Sequence, residues 1–425
     1  MSSAILDATN PNEATQAEAM GQPIKISLER DALFQAVSAV SRATASRPIQ
    51  PILSHVLMEI NPTEQRLMLS ATDLDFSMRT WVALENSLTP PPAVKLTLSA
   101  KKLSEILAKL PAGSALTLTY EPQLQQAKIE CDASAFELRT MPADEFPEIT
   151  TLESAVEAGR TESLQVSLGA FSKAIAQTVF AAASYDTNNV LGGVFFRIGP
   201  SGLELVSTDG SRLARRIEPI GYEDADEVDS ANPIIPPTTT TSAIIPAKTL
   251  QEFSKIAGSS PDKQARVQIA IIDGQIYLLS ERAEIISRLI DGQYPKFEQL
   301  IPAQNQIVAS ASRQAFIASL ERAAIMANER TNVVKLHFEA NRLSLMANNP
   351  ELGDSKDEMD VRYEGAALDI AFNYKYVIDA LRAIDTERVR LETNGALAPA
   401  VFRGELENAE ADARYLCLVM PVQVK

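Results

Sequence analysis

Two Thr-Asp pairs are the residues of this sequence whose types first suggest chemistry. Thr72-Asp73 and Thr208-Asp209 each end a strand-like run, where a carboxylate could serve as a general acid or base. Aspartate is also a standard turn residue, and the corresponding place in a third copy of the run is Asn348-Asn349. We therefore interpret the pairs as a repeated turn and not as a repeated active site.

Other motifs that mark catalysis are missing from the sequence. It contains neither a G-x-x-x-x-G-K-[ST] phosphate loop nor a G-x-G-x-x-G turn. The two histidines, His55 and His337, lie in strand-like runs without a Cys or a carboxylate at metal-ligand spacing. We therefore find no catalytic constellation in the sequence, and we expect structural histidines, no metal site and no cofactor.

Length and composition indicate a globular protein of about three domains. The 425 residues are 45% hydrophobic and 22% charged, and no apolar run reaches the roughly 20 residues that span a bilayer. Residues 1–23 are polar and lack the features of a secretory signal, so we predict a disordered N-terminal tail. Cys131 and Cys417 lie in strand-like runs, which makes a disulfide framework unexpected and favours a cytoplasmic location.

The turn belongs to a strand-turn-strand phrase. Residues 203–216 read LELVSTDGSRLARR, in which apolar and polar residues alternate on both sides of Asp209-Gly210. This pair tolerates positive φ and predicts a tight hairpin. The same phrase occurs at 66–75 and, with a longer polar turn, at 342–350.

The phrase is part of a unit that is repeated three times, beginning at Ile24, Leu164 and Ile307 and spaced by about 140 residues. Each unit reads β-α-β-β-β-α-β-β-β, which predicts an α+β fold with two helices and antiparallel sheets per unit. The predicted domains are 24–150, 162–302 with a flexible insert at 222–241, and 306–425, and residues 150–161 form a polar, acidic link.

Charge is unevenly distributed along the chain. The formal net charge is −16, which argues against a protein that coats itself with nucleic acid. The six predicted helical segments nevertheless contain 15 basic and 8 acidic residues. Either these helices share a face that meets a polyanion, or Lys and Arg are present because they are good helix formers. Charge alone does not decide between these interpretations.

Several short motifs, in a fixed order, resemble those of the bacterial DNA polymerase III beta subunit, the replicative sliding clamp. They lie in residues 24–425 and are Arg47-Pro48 with Pro51-Ile52-Leu53, Ala71-Thr72-Asp73-Leu74, Ser207-Thr208-Asp209-Gly210 with Arg212-Leu213-Ala214, Asp291-Gly292 with Tyr294-Pro295, Ala347-Asn348-Asn349-Pro350, and Val419-Met420-Pro421-Val422.

The resemblance implies a fold and a function. Three repeated clamp domains form a crescent, and two crescents close head to tail into a homodimeric ring around duplex DNA. The helices line the hole without reading bases, and no catalysis takes place. The implied partners are the replicative DNA polymerase, the clamp loader and other clamp-motif proteins, and no membrane is involved.

The resemblance also implies site residues. The partner-peptide pocket would comprise Leu191, Thr208, Gly210, Arg212, Leu213, Pro295, Leu300, Leu418, Val419, Met420, Pro421 and Val422. DNA-facing positions would include Arg47, Lys101 and Lys248. The subunit contact would set Phe136 and Leu138 against Ile325 and Met326.

The sequence departs from the family pattern at the polar edge of this pocket. The family often ends Met-Pro-x-Arg-Leu, whereas Gln423-Val424-Lys425 follow Val422 here. Asn188 replaces a basic residue that is common just before the pocket leucine. Two alternatives stay open at this point: an enzyme with an unrecognised site, and a clamp-like paralogue without a role in replication.

Overall fold

The computed structural model of the chain describes residues 23–45, 47–84, 93–157, 164–184, 189–200, 202–219, 240–258, 262, 265–406 and 414–423. Most of the predicted tail at 1–23 and most of the predicted insert at 222–241 lie outside these residues, as does Asn188. By backbone contacts the chain divides into two compact units. The first contains residues up to Ser163 together with Gln268–Arg288, and the second contains Leu164–Val267 together with Leu289–Lys425.

The described residues form seven α-helices: α1 (Arg30–Val40), α2 (Ala100–Lys109), α3 (Leu152–Glu157), α4 (Leu168–Thr178), α5 (Ala247–Gly258), α6 (Arg313–Ala323) and α7 (Tyr374–Arg382). They also form 25 strands: β1 (Ile24–Glu29), β2 (His55–Asn61), β3 (Arg66–Thr72), β4 (Phe76–Ala83), β5 (Val94–Ser99), β6 (Ala115–Glu121), β7 (Gln126–Cys131), β8 (Ser134–Arg139), β9 (Leu164–Ser167), β10 (Gly193–Gly199), β11 (Gly202–Thr208), β12 (Arg212–Glu218), β13 (Thr241–Pro246), β14 (Arg266–Ile272), β15 (Gln275–Leu279), β16 (Ala283–Arg288), β17 (Ile307–Ser312), β18 (Val333–Glu339), β19 (Arg342–Asn349), β20 (Gly353–Asp360), β21 (Arg362–Tyr363), β22 (Leu368–Asn373), β23 (Arg388–Thr393), β24 (Ala400–Gly404) and β25 (Tyr415–Val419).

Two antiparallel sheets and a helix pair build the first unit. One sheet has the order β1-β6-β7-β8, and the strands of the other run β5-β2-β3-β4-β16-β15-β14. Burial in β1 alternates strictly between Ile24, Ile26 and Leu28 on one face and exposed polar residues on the other, as a half-buried strand requires. The helices α1 and α2 pack against each other, and α1 also contacts β3 and β4.

A short helix occupies the place of the predicted polar link. α3 buries Leu152 and Ala155 against strands β14 to β16. The Leu152 backbone N–H donates to the Glu284 carboxylate at 2.6 Å, and Arg79 donates to the same carboxylate at 2.8 Å. At the same helix start the Thr151 hydroxyl accepts the Ser154 N–H at 3.2 Å, so a local side chain and a distant carboxylate together satisfy the first N–H groups of a helix that lies within the predicted link.

The second unit contains a nine-stranded sheet of order β13-β10-β11-β12-β25-β24-β23-β17-β21 and a four-stranded sheet of order β20-β19-β18-β22. The helices pack in pairs, α4 with α5 and α6 with α7. Phe171 of α4 contacts the rings of Phe196 and Phe253, with centroid distances of 6.4 and 5.2 Å. Pairing of β12 with β25 makes the second and third repeats parts of one sheet.

The strand-turn-strand phrase is present three times, and its first two copies share their turn chemistry. The Thr72 and Thr208 hydroxyls each accept the backbone N–H two residues on, at 3.0 and 3.1 Å. Asp73 and Asp209 each accept two more N–H groups of their own turns. In the third copy the Asn349 side chain accepts a turn N–H at 3.0 Å. These polar residues therefore satisfy turn backbone, in agreement with their interpretation as turn residues.

The turn after Thr208 is longer than the predicted tight hairpin. Thr208 pairs with Leu213, so residues 209–212 form a four-residue connection. Gly210 has φ +88°, whereas Asp209 does not have the positive φ that a two-residue type I′ turn also needs there. In the first copy Leu74 takes the place of Gly210 with φ +82°, and its side chain is half exposed. A leucine with φ in the left-handed region is strained, and a half-exposed side chain has few packing contacts that could offset this strain.

We expect Leu74→Gly to raise the free energy of unfolding by about 0.5–1 kcal/mol, because relief of the left-handed strain exceeds the entropy cost of glycine. Chemical denaturation measures the change. Gly210→Leu in the equivalent turn is the matched control and should lower the free energy of unfolding. A Leu74→Gly protein less stable than the parent would refute the strain argument.

Candidate functional site

The turn of the second repeat is held rigid by its own side chains. The Thr208 hydroxyl donates to the Arg212 carbonyl at 2.6 Å and accepts the Gly210 N–H at 3.1 Å. The Asp209 carboxylate accepts the N–H groups of Ser211 and Arg212 at 2.9 and 3.0 Å. Gly210 and Ser211 remain exposed at the tip. The backbone of the turn is thus fixed without help from a ligand.

The end of the third repeat lies directly beside this turn. In the antiparallel register Leu213 faces Leu418 and Arg212 faces Val419. The chain then leaves the sheet, and the Met420 N–H donates to the Ser211 carbonyl at 2.9 Å. The structure therefore brings residues 418–420 of the predicted segment 418–422 beside segment 208–213, about 200 residues away in sequence, whereas the Val422 N–H donates to the Ala371 carbonyl at 2.7 Å.

A buried apolar cluster forms the floor beneath the two segments. It contains Leu213 and Leu418 with Val206, Ile244, Tyr294, Phe297, Val401 and Leu416. The Phe195 ring stacks on Tyr294 at 5.4 Å, and the Tyr294 hydroxyl accepts the Thr208 N–H at 3.1 Å. Burial raises the pKa of the Tyr294 phenol, so the hydroxyl stays protonated at neutral pH. The floor is apolar and firmly joined to the turn.

The other predicted pocket residues border this cluster through their neighbours. Leu191 lies in the 3-10 turn Val190–Gly192, and Val190 packs against the cluster. Pro295 follows the buried Tyr294, and Leu300 ends the 3-10 turn whose Phe297 belongs to the cluster. Leu300 is 51% exposed, and Met420 and Val422 are 40% and 36% exposed. Pro421 is half-buried between them. We call the predicted pocket residues together the groove.

Arg212 has contacts that the sequence reasoning missed. Its guanidinium donates to the Asp209 carboxylate at 3.1 Å, to the Phe180 carbonyl at 2.7 Å and to the Asp379 carboxylate at 2.6 Å. It also lies over the ring of Tyr376, 4.5 Å from the centroid. Tyr376 and Asp379 are three residues apart on α7, a spacing that places them on one helical face and could have indicated a shared contact.

Comparison with known proteins identifies the family of this chain. Models of three DNA polymerase III beta subunit domains match in order: the N-terminal domain at residues 24–150, the central domain at 165–296 and the C-terminal domain at 298–422. The chain belongs to the DNA polymerase III beta subunit family.

Individual relatives of the beta subunit family match along their whole lengths. The proteins named beta sliding clamp of Synechococcus elongatus and of Escherichia coli are each 30% identical over 404 residues, covering 95% and 94% of this chain and all of the relative. A sliding clamp structure from Pseudomonas aeruginosa bound to griselimycin superposes with a TM-score of 0.82 at 26% identity. One from Bacillus subtilis superposes with 0.81 at 27% identity. Each structure covers 95% of this chain and is itself fully covered.

Membership of the beta subunit family confirms four predictions made from the sequence. These are the family resemblance, the α+β fold with three repeated clamp domains, the function as a DNA sliding clamp and the absence of catalysis, since the family is a non-catalytic processivity factor. The boundaries 24–150, 162–302 and 306–425 and the individual site residues stay predictions. Among the residues that the structure describes, no helix is both long and apolar enough to cross a membrane.

The predicted DNA-facing residues of this beta-family chain are all exposed. Arg47 follows the 3-10 turn after α1, and Lys101 and Lys248 are the second residues of α2 and α5. Lys375 has the same position in α7. Other helix cations are balanced by acidic side chains within the chain: Lys102 by Glu105, Lys173 by Asp385, Lys255 by Glu252, Arg322 by Asp357 and Arg382 by Glu321. Two of these acidic partners, Asp357 and Asp385, lie outside the helical segments that were counted in the sequence, so the excess of positive charge near the helices is smaller than that count.

The predicted subunit-contact residues lie at outer elements. Phe136 and Leu138 are half-buried side chains of β8, which is the outer strand of its four-stranded sheet in the first unit. Ile325 is 72% exposed in the 3-10 turn after α6, and Met326 follows it. That turn contacts β20, the outer strand of the four-stranded sheet in the second unit. Each unit thus has an outer strand next to the residues named in the prediction.

We expect Tyr294→Phe to lower the free energy of unfolding by about 1–3 kcal/mol, because the buried Thr208 N–H loses its phenolic acceptor. Denaturant titration gives the value. Tyr363→Phe removes another buried phenol, one that donates to the Ala366 carbonyl and is remote in sequence from the turn. Only Tyr294→Phe should also speed amide hydrogen exchange at Thr208, and unchanged exchange there would count against the role assigned to this hydroxyl.

Proposed function

We propose that two copies of this chain close head to tail into a ring around duplex DNA and that each groove binds short peptide segments of replication proteins. The observation that supports it best is the match, over nearly the whole chain, to proteins named beta sliding clamp. The ring would hold DNA topologically and without sequence preference in the cytoplasm. The peptides would belong to the replicative DNA polymerase, the clamp loader and other clamp-motif proteins.

The outer strands support ring closure. Strands β8 and β20 each have one side that is unpaired within the described sheets, and unpaired strand edges favour pairing with another chain. Phe136 and Leu138 on β8 of the first unit, and Ile325 and Met326 in the turn that contacts β20 of the second, would supply apolar contact area beside these edges. A head-to-tail contact between unlike ends closes when two crescents meet twice.

The charge distribution supports binding of DNA inside the ring. A net charge of −16 disfavours stray contact of the outer surface with nucleic acid. Arg47, Lys101 and Lys248 are exposed cations on or beside helices, and such side chains attract phosphates irrespective of base sequence. We assign these residues to contact with the DNA backbone.

The groove supports binding of a short apolar peptide. The partly exposed Met420 is bonded to the turn through Ser211, beside a floor that contains the buried Leu213 and Leu418. Burying one leucine and one phenylalanine of a peptide here contributes about 1.5–3 kcal/mol each. With several backbone hydrogen bonds, and after ordering costs, this suits micromolar binding near roughly −8 kcal/mol. Binding of that strength allows several proteins to use one site in turn.

We expect Arg47→Glu, Lys101→Glu and Lys248→Glu combined to release the protein from nicked circular DNA at lower salt than the parent, because phosphate contacts are lost. Light scattering should still give about twice the 46.1 kDa chain mass. The parent should stay on circles and slide off after linearisation. Retention of the triple variant equal to the parent across the salt series would refute the DNA assignment.

The matched control makes the same change of charge on strands and turns: Lys25→Glu, Arg282→Glu and Arg362→Glu, all at exposed positions. This variant should stay on circular DNA as the parent does. Equal loss by both triple variants would show a general effect of charge and would contradict contact at the three assigned residues. A parent protein that is monomeric at micromolar concentration would contradict the ring itself.

We expect truncation after Val419 to abolish binding of a fluorescent Gln-Leu-x-Leu-Phe-type peptide, measured by anisotropy, because the exposed Met420 and Val422 are removed. The melting midpoint should change by only a few degrees, since β25 ends at Val419 and the truncation removes only two backbone hydrogen bonds among the described residues, from Met420 to Ser211 and from Val422 to Ala371. Leu352→Ala, at an exposed leucine in the turn region of the third repeat, is the control and should bind normally. Normal binding by the truncated protein would exclude the groove.

A further inference from the structure

Arg212 is an unusual residue for the edge of a binding groove. Its guanidinium is largely buried and is bonded to other residues of the same chain. Its side chain is only 11% exposed. Each of its three nitrogens donates to a different segment: Nε to Asp209 of the turn, Nη2 to the Phe180 carbonyl and Nη1 to Asp379 of α7. A planar guanidinium with bonds in three directions has a fixed position and orientation.

Two aromatic rings complete the environment of this guanidinium. Its carbon lies 4.5 Å from the ring centroid of Tyr376 and 5.4 Å from that of Phe180. Phe180 belongs to the second repeat and Tyr376 to the third, so the cation is held between the two repeats. Cation–π contacts of this kind strengthen where water is largely excluded.

The backbone of Arg212 is also part of the groove. Arg212 faces Val419 in the register of β12 and β25, and the carbonyl of the preceding Ser211 accepts the Met420 N–H. A shift of the guanidinium would therefore change the spacing between the turn and the chain segment 418–422. Binding sites lose affinity when such spacing varies by a fraction of an ångström, because the anchor positions no longer match the ligand.

We propose that Asp379 is a positioning residue of the groove, and this proposal rests on the peptide-binding function proposed above. Asp379 is not one of the groove residues, and its carboxylate is 39% exposed. It is the acidic residue on α7 that bonds to Arg212. By holding Nη1, it keeps the guanidinium against the two rings and keeps the turn at its distance from segment 418–422. The third repeat thus shapes the groove through α7 as well as through its last strand.

The chain contains a matched control for this role. Lys173 of α4 and Asp385, just after α7, form a second ion pair between the second and third repeats, with a distance of 2.6 Å. Both side chains are about half exposed. Within the described part of the chain, no hydrogen bond or ion pair links either side chain to residues 208–213. Asp385→Asn removes the same charge and breaks a link between the same two repeats. It differs from Asp379→Asn in leaving Arg212 with its partners.

The test measures binding of the fluorescent Gln-Leu-x-Leu-Phe-type peptide by anisotropy to the full-length chain and four variants: Asp379→Asn, Asp379→Glu, Asp385→Asn and Arg212→Gln, with the double variant Arg212→Gln/Asp379→Asn. We expect Asp379→Asn to raise the peptide Kd about tenfold and Asp379→Glu to restore most of the affinity. Asp385→Asn should bind as the parent does. Melting midpoints and light scattering confirm that each variant is folded and has the oligomeric state of the parent.

The double variant separates positioning from a general loss of stability. If Asp379 acts through Arg212, adding Asp379→Asn to Arg212→Gln causes no further loss of affinity. Additive losses, equal weakening by Asp385→Asn, or normal binding by Asp379→Asn would each overturn the proposal while leaving peptide binding by the parent intact. Failure of the parent itself to bind the peptide would instead overturn the proposed function, and the positioning role with it.

Discussion

The bonding of the Arg212 guanidinium, together with the pairing of β12 with β25, is the interaction on which the proposed groove and the junction of the second and third repeats depend. A buried cation is costly unless charge and hydrogen bonds compensate it. Here Asp209, Asp379 and the Phe180 carbonyl supply that compensation from three separate segments. The guanidinium therefore requires all three segments to be in place at once, and the junction forms with a defined geometry. A hydrophobic contact alone would tolerate sliding of one repeat over the other.

The same turn is used in more than one repeat, but its surroundings differ. In the first repeat the Arg288 N–H donates to the Asp75 carbonyl at 2.9 Å, as the Met420 N–H donates to Ser211 in the second. The residue corresponding to Arg212 is Phe76, which is buried. Beside the second turn, by contrast, Met420 is 40% exposed, and this apolar surface is part of the proposed peptide site.

Ion pairs within the chain show why charge counts along a sequence describe a binding surface only coarsely. Lys102, Lys173 and Arg382 would each add to a basic helix face, yet each has an acidic partner within 3 Å. Such exposed pairs contribute little to stability. These pairs do reduce the positive electrostatic field around the helices. The exposed Arg47 and Lys101 would therefore contribute a larger share of the attraction in the proposed DNA contact.

The sequence by itself determined the repeated order of strands and helices, the turn residues and the family. These depend on local alternation and on short motifs, since burial of neighbouring residues sets the period of a strand or a helix. The tertiary structure added contacts that no local pattern contains: Thr151 caps α3 from the adjacent sequence, whereas Glu284, which accepts the first N–H of this helix, is 132 residues away. The tertiary structure also decided which residues Arg212 contacts. The sequence motif had indicated Arg212 only as a pocket residue. Its partner Asp379 is 167 residues away, and a contact over that separation depends on which strands pair, which no local pattern specifies.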